Sequence, residues 1–198
     1  MKFFKENSYD IVKLFINQMG ITIFALVLYT AIGFIDDEVL NLRVKVILSV
    51  FATIFYFALL YTATWEFGAK DKIRIDSGKY SAKKTKGLIM SLIAGIPSFV
   101  LAGACIITML IHLASGSEGA YSAFAIFNLL LRFISAMFLG ILQGAFSALS
   151  YDANLKFLWE SVGYFVMPIV TALVCHLGYT LGRREFKIFS VFSPKSGK

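Results

Sequence analysis

The sequence predicts an all-α integral membrane protein of five hydrophobic helical segments, with its N-terminus in the cytoplasm. Three observations carry that prediction. Of the 198 residues, 58% are hydrophobic and only 16% are charged, whereas a soluble domain uses about 25% charged residues to cover its surface. The apolar runs reach the roughly 20 residues that cross a bilayer core as a helix. The Lys and Arg residues gather in short segments beside those runs, the pattern of cytoplasmic loops. Little chain remains for a large aqueous domain.

Residues 1–13 carry Phe3, Phe4, Ile11 and Val12 among Lys2, Lys5 and Lys13, which suits an interfacial lead-in. The first apolar run, about 14–35, continues into Asp36-Asp37 with no small-x-small cleavage site beyond it, so the expectation is a retained span. The acidic cluster Asp36-Asp37-Glu38 closes it. A second span at about 44–64 ends at Trp65, a residue favoured at membrane interfaces, and forms a tight hairpin with the first.

Residues 66–86 hold Lys70, Lys72, Arg74, Lys79, Lys83, Lys84 and Lys86 against Glu66, Asp71 and Asp76. This is the strongest orientation signal in the chain, and it places the loop and the N-terminus in the cytoplasm. Lys72 to Ile75, followed by Asp76-Ser77-Gly78, suggests a small extended turn. Beyond orientation, the loop suits a cytoplasmic partner or anionic headgroups, each cation contributing on the order of 1 kcal/mol near the surface.

The third span, about 87–113, contains Pro97, whose missing amide proton should bend the helix. A turn at Ser115 to Gly119 without Lys or Arg suits the outer side. The last span, about 162–181, contains Pro168 and ends at Gly182-Arg183-Arg184. The basic, aromatic tail 182–198 suits the interface.

Residues 120–150 form an apolar run that contains Arg132 and has no Gly or Pro before Gly140. Two full crossings need about 40 residues. The favoured expectation is therefore one long tilted helix with the tail outside. The rival is a re-entrant or partly interfacial segment, which returns the tail to the cytoplasm and sorts the charges cleanly.

Within the membrane, Ala136, Gly140, Gly144 and Ala148 recur at four-residue spacing, which lets helix backbones approach closely. This face serves either packing within the chain, against a similar stripe at Ala94, Ser98 and Ala102, or contact with another membrane subunit or a second copy. Arg132 lacks an obvious counter-ion, because no acidic residue lies well inside a predicted span. It pairs structurally, snorkels, or binds an anionic substrate, with Asn128 one turn before it. Asn17, Gln18 and Gln143 complete a candidate polar path.

The formal net charge of +7 points to the lipid bilayer and its anionic headgroups as partner, not to nucleic acid. Cys105 and Cys175 lie in apolar runs without CxxC spacing, and neither His112 nor His176 has a partner at ligand spacing, so no metal or cofactor is expected. No phosphate-binding loop, Gly-x-Ser-x-Gly elbow or paired intramembrane aspartates occur. The fourteen Lys against five Arg and the twenty Phe fit the plasma membrane of a bacterium with an AT-rich genome. The expected function is a membrane component of small-molecule transport that depends on a separate energising partner. The alternative is a non-catalytic assembly or regulatory protein, and an intramembrane enzyme comes third.

Overall fold

In the computed structural model the described residues, 2–78, 85–147 and 152–186, form seven α-helices and a 3-10 turn and contain no strand. They are α1 (Lys2–Ile32), α2 (Glu38–Asp76), α3 (Lys86–Ala94), α4 (Ile96–Ser115), α5 (Glu118–Ile134), the 3-10 turn (Ala136–Phe138), α6 (Leu139–Ser147) and α7 (Ala153–Arg183). Four of them, α1, α2, α4 and α7, are long and apolar enough to cross a membrane, and counting the bent pair α5 and α6 as one span gives five.

The first hairpin closes through side chains that satisfy helix ends. Asp37 caps α2 by accepting from the amides of Val39 and Leu40 at 2.9 and 3.0 Å. Asn41 donates back to the carbonyls of Ile32, the last residue of α1, and of Ile35 in the turn, each at 3.2 Å. No break separates residues 1–13 from the first span, since α1 runs unbroken from Lys2 and already buries Ile11 and Leu14.

The stretch expected to be a loop from residue 66 is helical as far as Asp76. With 39 residues α2 is about 58 Å long at 1.5 Å per residue, so it runs well past a hydrocarbon core of about 30 Å. Phe67 and Asp71, one turn apart, are buried while Lys70 and Arg74 are exposed. The charges therefore mark the outer face of a helix whose inner face still packs. The extended turn expected at 72–78 shrinks to Ser77 and Gly78, where Gly78 takes φ +71°, a conformation glycine adopts without strain.

Pro97 and Pro168 act differently. The third run is broken at Gly95, with Pro97 in the first turn of α4, where its missing N–H costs no helical bond. Pro168 is accommodated inside α7, and a Cβ on Gly95 would lie 3.3 Å from its ring.

The run 120–150 is not one long helix. It is bent by 91° at Ser135, so the favoured expectation is corrected. The turn needs neither Gly nor Pro because the first hairpin supplies the partners for the freed backbone. Thr22 donates to the Ile134 carbonyl at 2.9 Å, Ser49 and Thr53 donate to the Met137 carbonyl at 2.6 and 3.1 Å, and the Gly140 amide donates to the Tyr29 hydroxyl at 3.3 Å. Irregular backbone inside an apolar bundle persists only where such groups satisfy it.

The ends of the bundle follow from pairwise contacts. Lys13 meets Glu66 at 3.5 Å, and Lys86 meets Asp71 at 2.8 Å and Asp10 at 3.9 Å, so the early part of α1, the end of α2 and the start of α3 share one end. On α7, Gly178 packs on Tyr61 and Thr64, and Gly182 on Trp65. Numbers rise together along both helices, so α2 and α7 run parallel and α7 also finishes at this basic end. At the far end, Gly140 and Gly144 of α6 pack on Lys45 and Val46, and Leu142 and Phe146 pack on Gly163 of α7. The start of α5, which follows α4, and the end of α6, which packs near the start of α2, thus both lie toward the far end of the bundle. The described end of α7 lies beside the 66–86 segment, where Lys72 pairs with Glu185 at 2.9 Å; the expectation for the side of the tail falls on residues 187–198, which lie outside the described residues.

The interior mixes small and hydroxyl residues such as Ser49, Ala52, Thr64, Ser98, Ala102 and Ser161 with large ones such as Tyr56, Leu60, Met90, Phe124 and Tyr179, while Ile47, Ile54, Val100, Ile107, Leu129 and Ile169 face outward. Small residues on the packed faces let helix backbones approach closely, as in lipid. Cys105 and Cys175 are free and fully buried.

Candidate functional site

Two spaces with polar groups in their walls lie among the described residues, the smaller bordering the break at Ser135. The larger is an open cleft of about 310 Å³ near the far end, walled by Arg132 of α5, Gln143 and Phe146 of α6, and Lys156, Phe157 and Glu160 of α7. Because the bend ends α5 shortly after Arg132, the guanidinium sits in the last helical turn, where the helix dipole favours a cation.

Arg132 has a counter-ion after all. Its Nη2 donates to Glu160 Oε2 at 2.7 Å, and its Cζ lies 5.8 Å from the centroid of the Phe157 ring. Glu160 falls just before the predicted last span, but α7 starts at Ala153, so the carboxylate lies about two turns inside the helix. The Glu160 side chain is 10% exposed and that of Arg132 27%, so the pair closes the inner wall while remaining reachable from the cleft. Behind it, Arg132 Nε, Asn128 Nδ2 and the Tyr164 hydroxyl are buried without a hydrogen-bond partner.

The smaller space, about 10 Å³, is central and is lined by Gln18, Ser91, Gly95, Ser98, Ser135, Pro168 and Thr171 among others. Its volume suits about one water. Gln18 Nε2 donates to Ser98 Oγ at 3.2 Å across it. The proposed polar path is thus divided: Arg132 and Gln143 share the cleft, Asn128 is buried one helical turn from Arg132, Gln18 lines the central space, and the half-buried Asn17 lines neither.

The small-residue stripe is divided by the same bend. Ala136 is fully buried in the 3-10 turn, and a Cβ on Gly140 would overlap the Lys45 carbonyl, so the stripe packs on α2 and not on Ala94, Ser98 and Ala102. Ala148 lies outside the described residues. The basic set is also redistributed. Lys70 and Arg74 are exposed, and Lys72 pairs with Glu185 at 2.9 Å. Lys86, expected to face headgroups, is 3% exposed and paired with Asp71, which also accepts from the Tyr179 hydroxyl at 2.8 Å. Lys79, Lys83 and Lys84 lie outside the described residues.

Sequence reasoning missed Glu160, Lys156, Tyr164, Asp71 and Tyr179. One available signal was Gly178-x-x-x-Gly182, a close-packing pattern that marks the face of α7 on which Gly68 meets Tyr179 and Arg183. No family model, curated protein or solved structure matches this chain.

Proposed function

We propose that the chain is a multi-pass component of small-molecule transport in a cell membrane, receiving its substrate at the far-end cleft and depending on a separate energising partner. The observation that carries this reading is the cleft itself, where a broken helix pair presents Arg132 and Gln143 beside Lys156 and Glu160 in a space of about 310 Å³. Discontinuous helices around a polar site are the recurrent architecture of membrane transporters. The basic end faces the cytoplasm by the distribution of Lys and Arg, so the cleft opens outward. The requirement for a partner rests on the sequence, which carries no phosphate-binding loop. Assembly through the small-residue stripe is less well supported, because Gly140 and Gly144 already pack within the chain.

The test is genetic and chemical. A Gln143→Cys variant should react in intact cells with a membrane-impermeant maleimide, while the unsubstituted chain, whose Cys105 and Cys175 are buried, should not. A deletion strain should lose uptake of at least one small solute and regain it with the unsubstituted gene but not with Lys156→Gln. Labelling only after the cytoplasm is opened, or full restoration by the cleft variant, contradicts the reading.

A further inference from the structure

We infer that the far-end cleft takes an oxyanion, a carboxylate or phosphate group, held by Arg132 and Lys156. The inference deepens the proposed function and rests on the cleft being its ligand site.

Charge gives the first argument. The wall carries two cations, Arg132 and Lys156, against one anion, Glu160. The Arg132 fork is only partly used, since Nη2 binds Glu160 while Nε is buried without a partner. A guanidinium presents several N–H donors and no acceptor, and pairs best with planar or tetrahedral oxyanions.

The second argument is the imbalance of donors behind that wall. Asn128 Nδ2, one turn before Arg132, is a pure donor. The Tyr164 hydroxyl, one turn beyond Glu160 and within electrostatic reach of both charged groups, also lacks a partner. Buried polar groups left unpartnered are rare in folded proteins, and where they occur they call for an explanation such as an absent ligand. None of the three atoms, Arg132 Nε included, is exposed to the cleft, so an oxyanion there meets them only when the Arg132–Glu160 wall opens, and it then supplies the acceptors they lack. Tyr164 shares a helix face with Glu160, so its hydroxyl can receive the carboxylate when Arg132 turns toward a ligand.

Size gives the third argument. A space of about 310 Å³ lies at the small end of ligand pockets, suited to a small organic acid, inorganic phosphate or a single phospholipid headgroup. Phe146 and Phe157 provide an apolar wall for the remainder of such a molecule.

The experiment uses the full chain purified in a maltoside detergent, with unfolding followed by tryptophan fluorescence. Sodium phosphate and sodium succinate are titrated against sodium chloride at equal ionic strength, and phosphatidylglycerol against phosphatidylcholine in mixed micelles. A saturable rise in melting temperature is expected with at least one oxyanion. Lys156→Gln, which leaves no buried charge stranded, and Arg132→Lys, which keeps a cation opposite Glu160, should each require about tenfold more ligand, as expected for one lost charge-assisted hydrogen bond. A rise with phosphate or succinate alone identifies a free anion, and a rise with phosphatidylglycerol alone identifies a headgroup. No saturable rise with any of the three, or a rise undiminished in both variants, overturns the inference. If Gln143→Cys still labels from outside in that case, the transport reading survives and only the oxyanion assignment falls.

Discussion

Ser49 of α2 donates to the carbonyl of Met137 at 2.6 Å, fixing the backbone of a turn 88 residues away in the chain. Thr53 binds the same carbonyl at 3.1 Å. Since these hydroxyls replace the helical bond that the bend removes, Ser49→Ala combined with Thr53→Val should leave that carbonyl unsatisfied and cost about 1–3 kcal/mol. A thermal melt in detergent checks this against Thr62→Val, whose exposed hydroxyl bonds only within its own helix and should change little.

The Arg132–Glu160 pair is part-buried, so its loss should fall between the costs of exposed and buried pairs. Arg132→Gln alone leaves Glu160 without its cation and should destabilise by about 1–3 kcal/mol. Adding Glu160→Gln should restore part of that loss. A double-mutant cycle read by melting temperature would reveal the coupling, whereas strict additivity would mean that the ion pair contributes nothing.

At the basic end the carboxylate of Asp71, 2% exposed, accepts from both Lys86 and Tyr179. Lys86→Met should cost about 3–5 kcal/mol by leaving a buried charge behind, and Asp71→Leu in the same chain should recover most of it. Equal stability of the Lys86→Met chain and the unsubstituted one would mean that lipid, not Asp71, is the partner of this lysine.

Where α2 and α7 meet, backbone touches backbone. A methyl at Gly182 would overlap the Trp65 carbonyl, whereas one at Gly103 meets nothing within 4 Å. Gly182→Ala should therefore destabilise by about 1–3 kcal/mol through overpacking, while Gly103→Ala should be neutral or gain up to about 1 kcal/mol from helix propensity. Denaturation of the two variants side by side separates a packing role from a propensity effect.

What could be seen in the sequence was what depends on local composition. Apolar runs marked the helices, Asp36-Asp37-Glu38 marked the first turn, and Pro97 marked a weak point in the third run. What could not be seen depends on residues far apart in the chain. The bend at Ser135 is held by Thr22, Tyr29, Ser49 and Thr53, each polar side chain unremarkable on its own helix. Lys70 to Asp76 resembled a loop because charge there signals exposure, yet Asp71 spends its charge on Lys86 inside the bundle. Arg132 was recognisable as unusual, but its counter-ion was hidden because Glu160 fell just outside the predicted span while α7 begins at Ala153.

The central claim is that α5 and α6 enter and leave through one end, so that both termini share the side of the basic segment. Fusing a compartment-specific reporter after Lys198 tests this most directly, with a second fusion at the N-terminus as reference. The account predicts that both reporters read cytoplasmic. A C-terminal reporter that reads external while the N-terminal one reads cytoplasmic would make the bent pair a full crossing and contradict the parallel arrangement of α2 and α7.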